Sequence, residues 1–228
     1  MLFRSGGELE RIAGELAAQH GVKVIAHACD LSVGDNARAL ARECGAIDVL
    51  VNNAGAIPAG HLADIDEARW REAWELKVFG YINLTRAIYA DMRTRASGVV
   101  VNVIGLAGER NKPEYIAGSS ANAGLMAFTR ALGAESVDHG VRVVGVNPGR
   151  IETERQQEVI MALAQDKLGD RARWQEMRAE MAKTMPFKRF GRPDEVADLV
   201  VFLASARASY ISATVVSIDA GQSLRAGG

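Results

Sequence analysis

The run Val99-Val100-Val101-Asn102-Val103-Ile104 constrains this chain more than any other stretch. It is short, β-branched and apolar but for one Asn, which is what a strand buried on both faces requires. Gly105 and Gly108 break it, and a polar loop follows. Ser119–Leu132 then reads as a helix, with Leu125, Phe128, Thr129 and Leu132 on one face. Such a strand, loop and helix make half of a parallel α/β crossover. In open sheets of this kind ligands meet the loops beyond the carboxyl ends of the strands.

The rest of the chain repeats the alternation. Val22–Ala28 is expected as a strand ending just before Asp30-Leu31, and Val33–Cys44 as a helix. Ile47–Val51 is expected as a strand, and a long helix to about Met92 should open with a capping box of Asp64 and Glu67. Val141–Val146 and Val215–Ile218 read as strands, and Pro193 suits the first turn of a helix running to Ala204. Between them a polar insertion, about 154–186, reads as two helices split near Gly169-Asp170. The pattern predicts one doubly wound parallel sheet in an α/β/α sandwich, a single domain over residues 1–228.

The 228 residues are 48% hydrophobic and 24% charged, with a formal net charge of −1. That suits a large core and offers no basic stripe for nucleic acid. No apolar run approaches the ~18 residues of a membrane span. Cys29 and Cys44 lack metal-ligand spacing and the four histidines are scattered, so no metal site is expected and a reducing cytoplasm is the simplest location.

Several short motifs stand at strand ends: Asn52-Asn53-Ala54-Gly55, Asn147-Pro148-Gly149 with Ile151 and Thr153, and a tail with Tyr210-Ile211-Ser212-Ala213 and Asp219-Ala220-Gly221. With the Gly98–Leu132 segment, they make the chain resemble the short-chain dehydrogenase/reductase family from about Glu8 to Gly221. The resemblance implies a Rossmann-like fold, NAD or NADP as cofactor, a small-molecule carbonyl, hydroxyl or activated-alkene substrate, and a homo-oligomer (dimer or tetramer) packed through the long helix and the Ala117–Leu132 helix. In the oligomer, small residues Ala121 and Gly124 would allow close approach. It places Asp30 and Leu31 at the adenine, Asn53, Ala54 and Gly55 along one wall of the cofactor site, and Pro148, Gly149, Ile151 and Thr153 at the nicotinamide carboxamide and a phosphate. Each has a plainer reading as loop starter, tight turn or helix cap.

The same resemblance exposes two departures. The family opens with a β-α-β unit, which takes ~30 or more residues, but here Met1–Gly7 carry no strand and Glu8–Gln19 already read as an amphipathic helix. Ser5-Gly6-Gly7 follows no strand and is not a phosphate loop. The chain is therefore expected to be N-terminally truncated, with Met1–Ser5 foreign to it. It should by itself bind nicotinamide dinucleotides weakly or not at all, because the pyrophosphate normally rests on a Gly-rich turn and helix N-terminus that this sequence lacks.

The second departure is chemical. The family's Ser, Tyr, Lys and helix Asn positions fall on Gly105, Gly118, Asn122 and Lys77, so all four residues are replaced. Tyr115 lies seven residues before Asn122, the Tyr-to-Lys spacing of the enoyl reductase branch, one turn ahead of the usual place. Trp70, Trp74, Lys77, Tyr81, Leu84 and Ile88 form one helical stripe on which Lys77 is the only charge. A stripe-edge lysine laying its stem on apolar surface is the plainer account. Carbonyl reduction needs a proton donor, and the reverse reaction needs a base. A free tyrosine is only ~0.1% ionised at pH 7, and a cation within about 4–6 Å increases that fraction. The expected catalytic set is Tyr115 as acid, Lys77 as the cation that tunes it and Asn122 as a polar helper, with the 154–186 insertion as substrate lid. Nothing in the sequence replaces the hydroxyl lost at Gly105. The alternative is a non-catalytic dehydrogenase-fold protein that binds a nucleotide or a partner.

Overall fold

Four parallel strands carry the architecture: β1 (Val49–Asn52), β2 (Gly98–Val103), β3 (Val141–Pro148) and β4 (Thr214–Ile218), in that spatial order. The computed structural model describes residues 6–225. Asn52 stands beside Asn102, Val103 beside Val146, and Pro148 beside Ile218, so the strands end near one edge. Alternation along the strands sends side chains to two cores. Leu50, Val100 and Val143 pack on helices α2 (Gly34–Cys44) and α4 (Gly80–Arg95) through Ala37, Leu84, Ile88 and Met92. Val101, Val144 and Val146 pack on α8 (Pro193–Ala204) through Leu203 on the opposite face. Helix α5 (Ile116–Ser136) joins the first layer, with Leu125 fully buried. The layered α/β expectation holds.

The expected Val22–Ala28 strand does not form. Residues 22–29 pair with no strand, although α1 (Gly6–His20) and α2 stand on either side. A β-rich sequence needs a neighbour to ladder with. The outer edge of β1 pairs with no strand among the described residues, and Val49 and Val51 stay exposed. The expectation of no strand over Met1–Gly7 falls partly on Met1–Ser5, outside the described residues; Gly6 and Gly7 open α1.

The helix after β1 differs in its start. Asp66, not Asp64, caps α3 (Glu67–Trp74) by accepting from Arg69 N, while Asp64 accepts from His61 N one turn earlier. Between α3 and α4 the residues Glu75–Phe79 form a π-helical turn, closed by Gly80 N donating to Glu75 O. Wide turns of this kind collect at functional sites, and Lys77 lies in this one. The insertion is two helices, α6 (Glu154–Leu168) and α7 (Trp174–Thr184), split where Gly169 takes a left-handed conformation at φ +73°. Of the two small residues expected between subunits, Ala121 is buried among Ile57, Ala73 and Ala117 of its own chain, whereas Gly124 is open. Among the described residues no helix is long and apolar enough to cross a membrane, and no His, Cys, Asp and Glu cluster could hold a metal.

Candidate active site

The end of β2 is where two helices deliver their polar groups. On the α3–α4 stripe, Tyr81 Oη donates to Val103 O at 2.8 Å and Lys77 Nζ to Ile104 O at 2.7 Å. The two side chains sit one turn apart and address consecutive carbonyls. From α5, Asn122 Nδ2 donates to the next carbonyl, Gly105 O, at 3.2 Å. Gly105 N in turn donates to Asn147 Oδ1 at the end of β3, at 3.3 Å. The lysine and the asparagine therefore converge on the Ile104–Gly105 turn from opposite helices.

Gly105 is at φ +128°, and a Cβ there would stand 3.0 Å from Asn122 Nδ2. This backbone shape disfavours any other residue. Asn122 Oδ1 is buried and makes no hydrogen bond. A buried acceptor without a donor is costly, so it is a place for a ligand hydroxyl or a water.

Lys77 is half-buried, with its stem over Gly55: a Cβ on Gly55 would meet Lys77 Cδ at 2.7 Å. The glycine of the Asn52–Gly55 motif is thus what lets the lysine pass. Burial, with Arg155 nearby, lowers the Lys77 ammonium from its ordinary 10.5 to about 8. Tyr81 is pushed up by burial.

Tyr115 stands at the N-cap of α5, one residue before the helix, with φ −142°. Its backbone bridges to Gly60, and Gly60 N donates to Glu114 O at 2.8 Å. The ring folds back over the first turn. A Cβ added to Gly118 would fall inside it, against Cε1 and Cζ. The Tyr115 ring thus occupies the space from which a side chain at 118 would start. Trp74 donates Nε1 to Ala117 O at 3.2 Å and packs with Tyr115, Ile57 and Val78. Trp74 and Tyr115 thus pack on one apolar cluster, and Lys77, one turn past Trp74, has its ammonium held on Ile104 O.

The expected cofactor residues divide into two groups. Asn53, Ala54 and Gly55 follow β1, Pro148 ends β3, and Gly149, Ile151 and Thr153 follow it, so both sets line the edge that also holds Tyr115. Asp30 and Leu31 lie beyond β1, seated on α4, where the Leu31 carbonyl closes on Gly80. Asp30 Oδ1 accepts from Ser32 N and Ser32 Oγ, a loop-starting role. Thr153 Oγ1 caps α6 by accepting from Gln156 N, and Gly149 is required where a Cβ would press on Asp219 at 2.9 Å. The plainer readings of Asp30 and Thr153 are thus realised. Residues the sequence reading passed over also belong here. Asn147, fully buried, ties Gly105 to Glu109, and Arg155 donates to Ile57 O at 2.6 Å. Asn147 carried a signal in its motif; Arg155 carried none.

A family model described as enoyl-(acyl carrier protein) reductase matches residues 2–223. The chain is 31% identical to galactitol 2-dehydrogenase (L-tagatose-forming) from Cereibacter sphaeroides over 223 residues, 97% of this chain and 83% of the relative. An L-sorbose reductase structure from Gluconobacter frateurii, complexed with NADPH and L-sorbose, superposes with a TM-score of 0.90 at 28% identity, covering 98% of this chain and 86% of that one. An NADPH-bound short-chain oxidoreductase from Pseudomonas aeruginosa PAO1, described as containing an atypical catalytic centre, gives a TM-score of 0.86 at 29% identity, covering 98% and 86%. The chain belongs to the short-chain dehydrogenase/reductase family of oxidoreductases.

Proposed function

We propose that this protein interconverts a carbonyl and a hydroxyl on a small molecule, with NAD or NADP, and that Tyr115 is its acid. The supporting observation is the Tyr115 ring lying over Gly118. A tyrosine rooted one turn early enters the space that a residue at the family's usual tyrosine position would fill. The NADPH-bound neighbours support the cofactor, and the L-sorbose and galactitol enzymes support a carbonyl–hydroxyl pair over an alkene. Two family members with low overall identity share the fold, and one has a centre that also departs from the usual.

The residues present fit the nicotinamide end of the cofactor. Asn122 Oδ1 offers a buried acceptor without a donor, suited to a ribose hydroxyl, and the backbone past β1 and β3 is open at Ala54 and Pro148. When bound, the reduced cofactor supplies hydride to the substrate carbon. In reduction, Tyr115 Oη gives its proton to the carbonyl oxygen; in oxidation the tyrosine must take one. Lys77, protonated below about pH 8, favours the tyrosinate that oxidation requires. The helices α6 and α7 cover the substrate. Residues 150–152 are tied to the end of this lid by Gly191 N donating to Arg150 O and Glu152 N to Gly191 O.

Nicotinamide absorbance read against a panel of ketoses, polyols and oxo acids tests this reading. Turnover abolished by Tyr115→Phe supports it. Cofactor binding without turnover across the whole panel would make the protein a nucleotide binder instead.

A further inference from the structure

Three basic side chains around Tyr115 remain unexplained by carbonyl chemistry. Lys112 lies three residues before it, in the loop from β2 to α5, and is locked to its turn because Tyr115 N donates to Lys112 O at 3.0 Å. The Lys112 amide is held by Ser119 Oγ at 3.1 Å. Arg150 stands between Gly149 and Ile151 in the loop after β3 and lines a cavity of 220 Å³ with Ile151 and Gln222. Arg155, in the first turn of α6, reaches back to Ile57 O beside Tyr115. The connections after two strand ends, β2 and β3, thus bring three cations to one rim. Among the described residues, none of the three has a carboxylate within salt-bridge distance, whereas Arg178 pairs with Glu152 and Arg189 with Glu195.

Lys112 and Arg150 are both half-buried. Burial lowers both, and Lys112 is lowered further by Arg150 itself. The opposing charge near them is Glu114, an exposed residue that lies close enough to favour both cations. Other acids near the rim are engaged. Asp219 accepts from Gly221 N and Ser223 N, Glu195 is held by Arg189, and Glu109 is held by Asn147 and Ser217. Like charges drawn partly out of water without partners are unfavourable in the free protein. An oxyanion between them would relieve that, and arginine is suited to two-point contact with a carboxylate or phosphate.

We infer that the substrate carries an anionic group, a carboxylate or phosphate, held by Lys112 and Arg150 with Arg155 closing from the lid while its carbonyl faces Tyr115. This rests on the oxidoreductase reading of the same site. A phosphate of the cofactor offers the same chemistry, and the test separates the two sources.

The test compares 2-, 3- and 4-oxopentanoate, each with its methyl ester, in the 228-residue protein. Binding is read from tryptophan fluorescence, since Trp70 and Trp74 pack on the same apolar cluster as Tyr115, and turnover from nicotinamide absorbance at a fixed, high concentration of NADPH. At least one acid should bind and turn over tenfold or more better than its ester. The Lys112→Met, Arg150→Met double variant should bring that ratio to within twofold. Equal preference for acid and ester, no binding of any acid, or a ratio unchanged in the double variant would overturn the inference. So would a double variant that loses NADPH affinity while keeping the acid preference, since the cations would then serve the cofactor. Turnover of acid and ester alike would leave the oxidoreductase reading standing. Selective acid binding without any absorbance change would leave the anion site standing and remove that reading.

Discussion

Two asparagine-centred networks, at Asn102 on β2 and at Gly105 three residues further on, differ in one respect. Both amide atoms of Asn102 have partners: Asn52 Nδ2 donates to Asn102 Oδ1 and Thr85 Oγ1 at 2.8 and 2.9 Å, and Asn102 Nδ2 donates to Thr129 Oγ1, which donates to Leu125 O. Around Gly105, Asn122 keeps one oxygen without a donor, and a lysine holds its charge against burial. The closed network joins β1, β2, α4 and α5; the open one waits for other atoms. The same residue types therefore build a fixture where satisfied and a site where not.

The largest effect should come from filling the space over Gly118. Gly118→Ala puts a methyl inside the Tyr115 ring, so the ring must leave. Activity should fall about 100-fold or more, the scale of a lost general acid, matching Tyr115→Phe. Moving the tyrosine back by Tyr115→Ala with Gly118→Tyr should recover part of it. Steady-state kinetics with circular dichroism as a folding control decides. Full activity in Gly118→Ala would mean that the ring's seat does not matter.

Next come the two asparagines, changed alike. Asn102→Leu removes two bonds of a closed network and strands Asn52 and Thr129. It should cost about 2–3 kcal/mol of stability with the pH profile of the remaining activity unchanged. Asn122→Leu removes one bond, the long one to Gly105 O, together with an oxygen already without a partner, so urea unfolding should show a smaller loss, about 1 kcal/mol, while KM for the cofactor rises. Equal stability losses would erase the contrast between the networks.

The layered fold was legible because periodicity reports which face is buried, and Val99–Ile104 on β2 can be satisfied only in a two-sided sheet. Pro193 and Gly169 marked helix boundaries for reasons that hold locally. The Val22–Ala28 segment was misread because a strand depends on a neighbour that its own residues do not specify. The Asp64 and Glu67 box was misplaced by two residues, since Asp66 competes for the same helix start with an equally good cap. In the site, Lys77 could be found from its place on an apolar stripe. Lys112, Arg150 and Arg155 could not, because the connections after β2 and after β3, distant in sequence, bring them together. Neither could the partnerless Asn122 oxygen, which exists only once the Ile104–Gly105 turn is folded.

A smaller effect is set by the charge on Lys77. With its ammonium lowered to about 8, the lysine is a cation at pH 6–7 and largely neutral at pH 9. Lys77→Met keeps the stem and removes the charge. It should impair oxidation more than reduction, by about tenfold below pH 8, with the ratio to wild type shrinking toward one above that pH. Lys77→Asn with Asn122→Lys should recover more activity than either single change. Equal rates for wild type and Lys77→Met at every pH would make the lysine a stripe-edge residue with no part in the chemistry.

The smallest effect is in stability and carries the opposite sign. A lysine lowered in the fold from 10.5 to about 8 is a group the folded state prefers neutral. The unfolded chain binds the extra proton between those values, so wild-type stability rises with pH across that window. The penalty for the buried charge is fully present below about pH 8 and is lost as pH climbs toward 10.5. Lys77→Met removes this term and also leaves Ile104 O without its donor, a cost that does not change with pH. The difference in melting temperature between variant and wild type should therefore be most favourable to the variant at pH 6–7 and should decline between pH 8 and 10.5, by a few degrees at most. The constant cost of the lost hydrogen bond shifts the whole curve and leaves its slope alone. A difference that is flat from pH 6 to 10 would show that Lys77 is no more uncomfortable in the fold than in the unfolded chain. The open network would then be open only at Asn122.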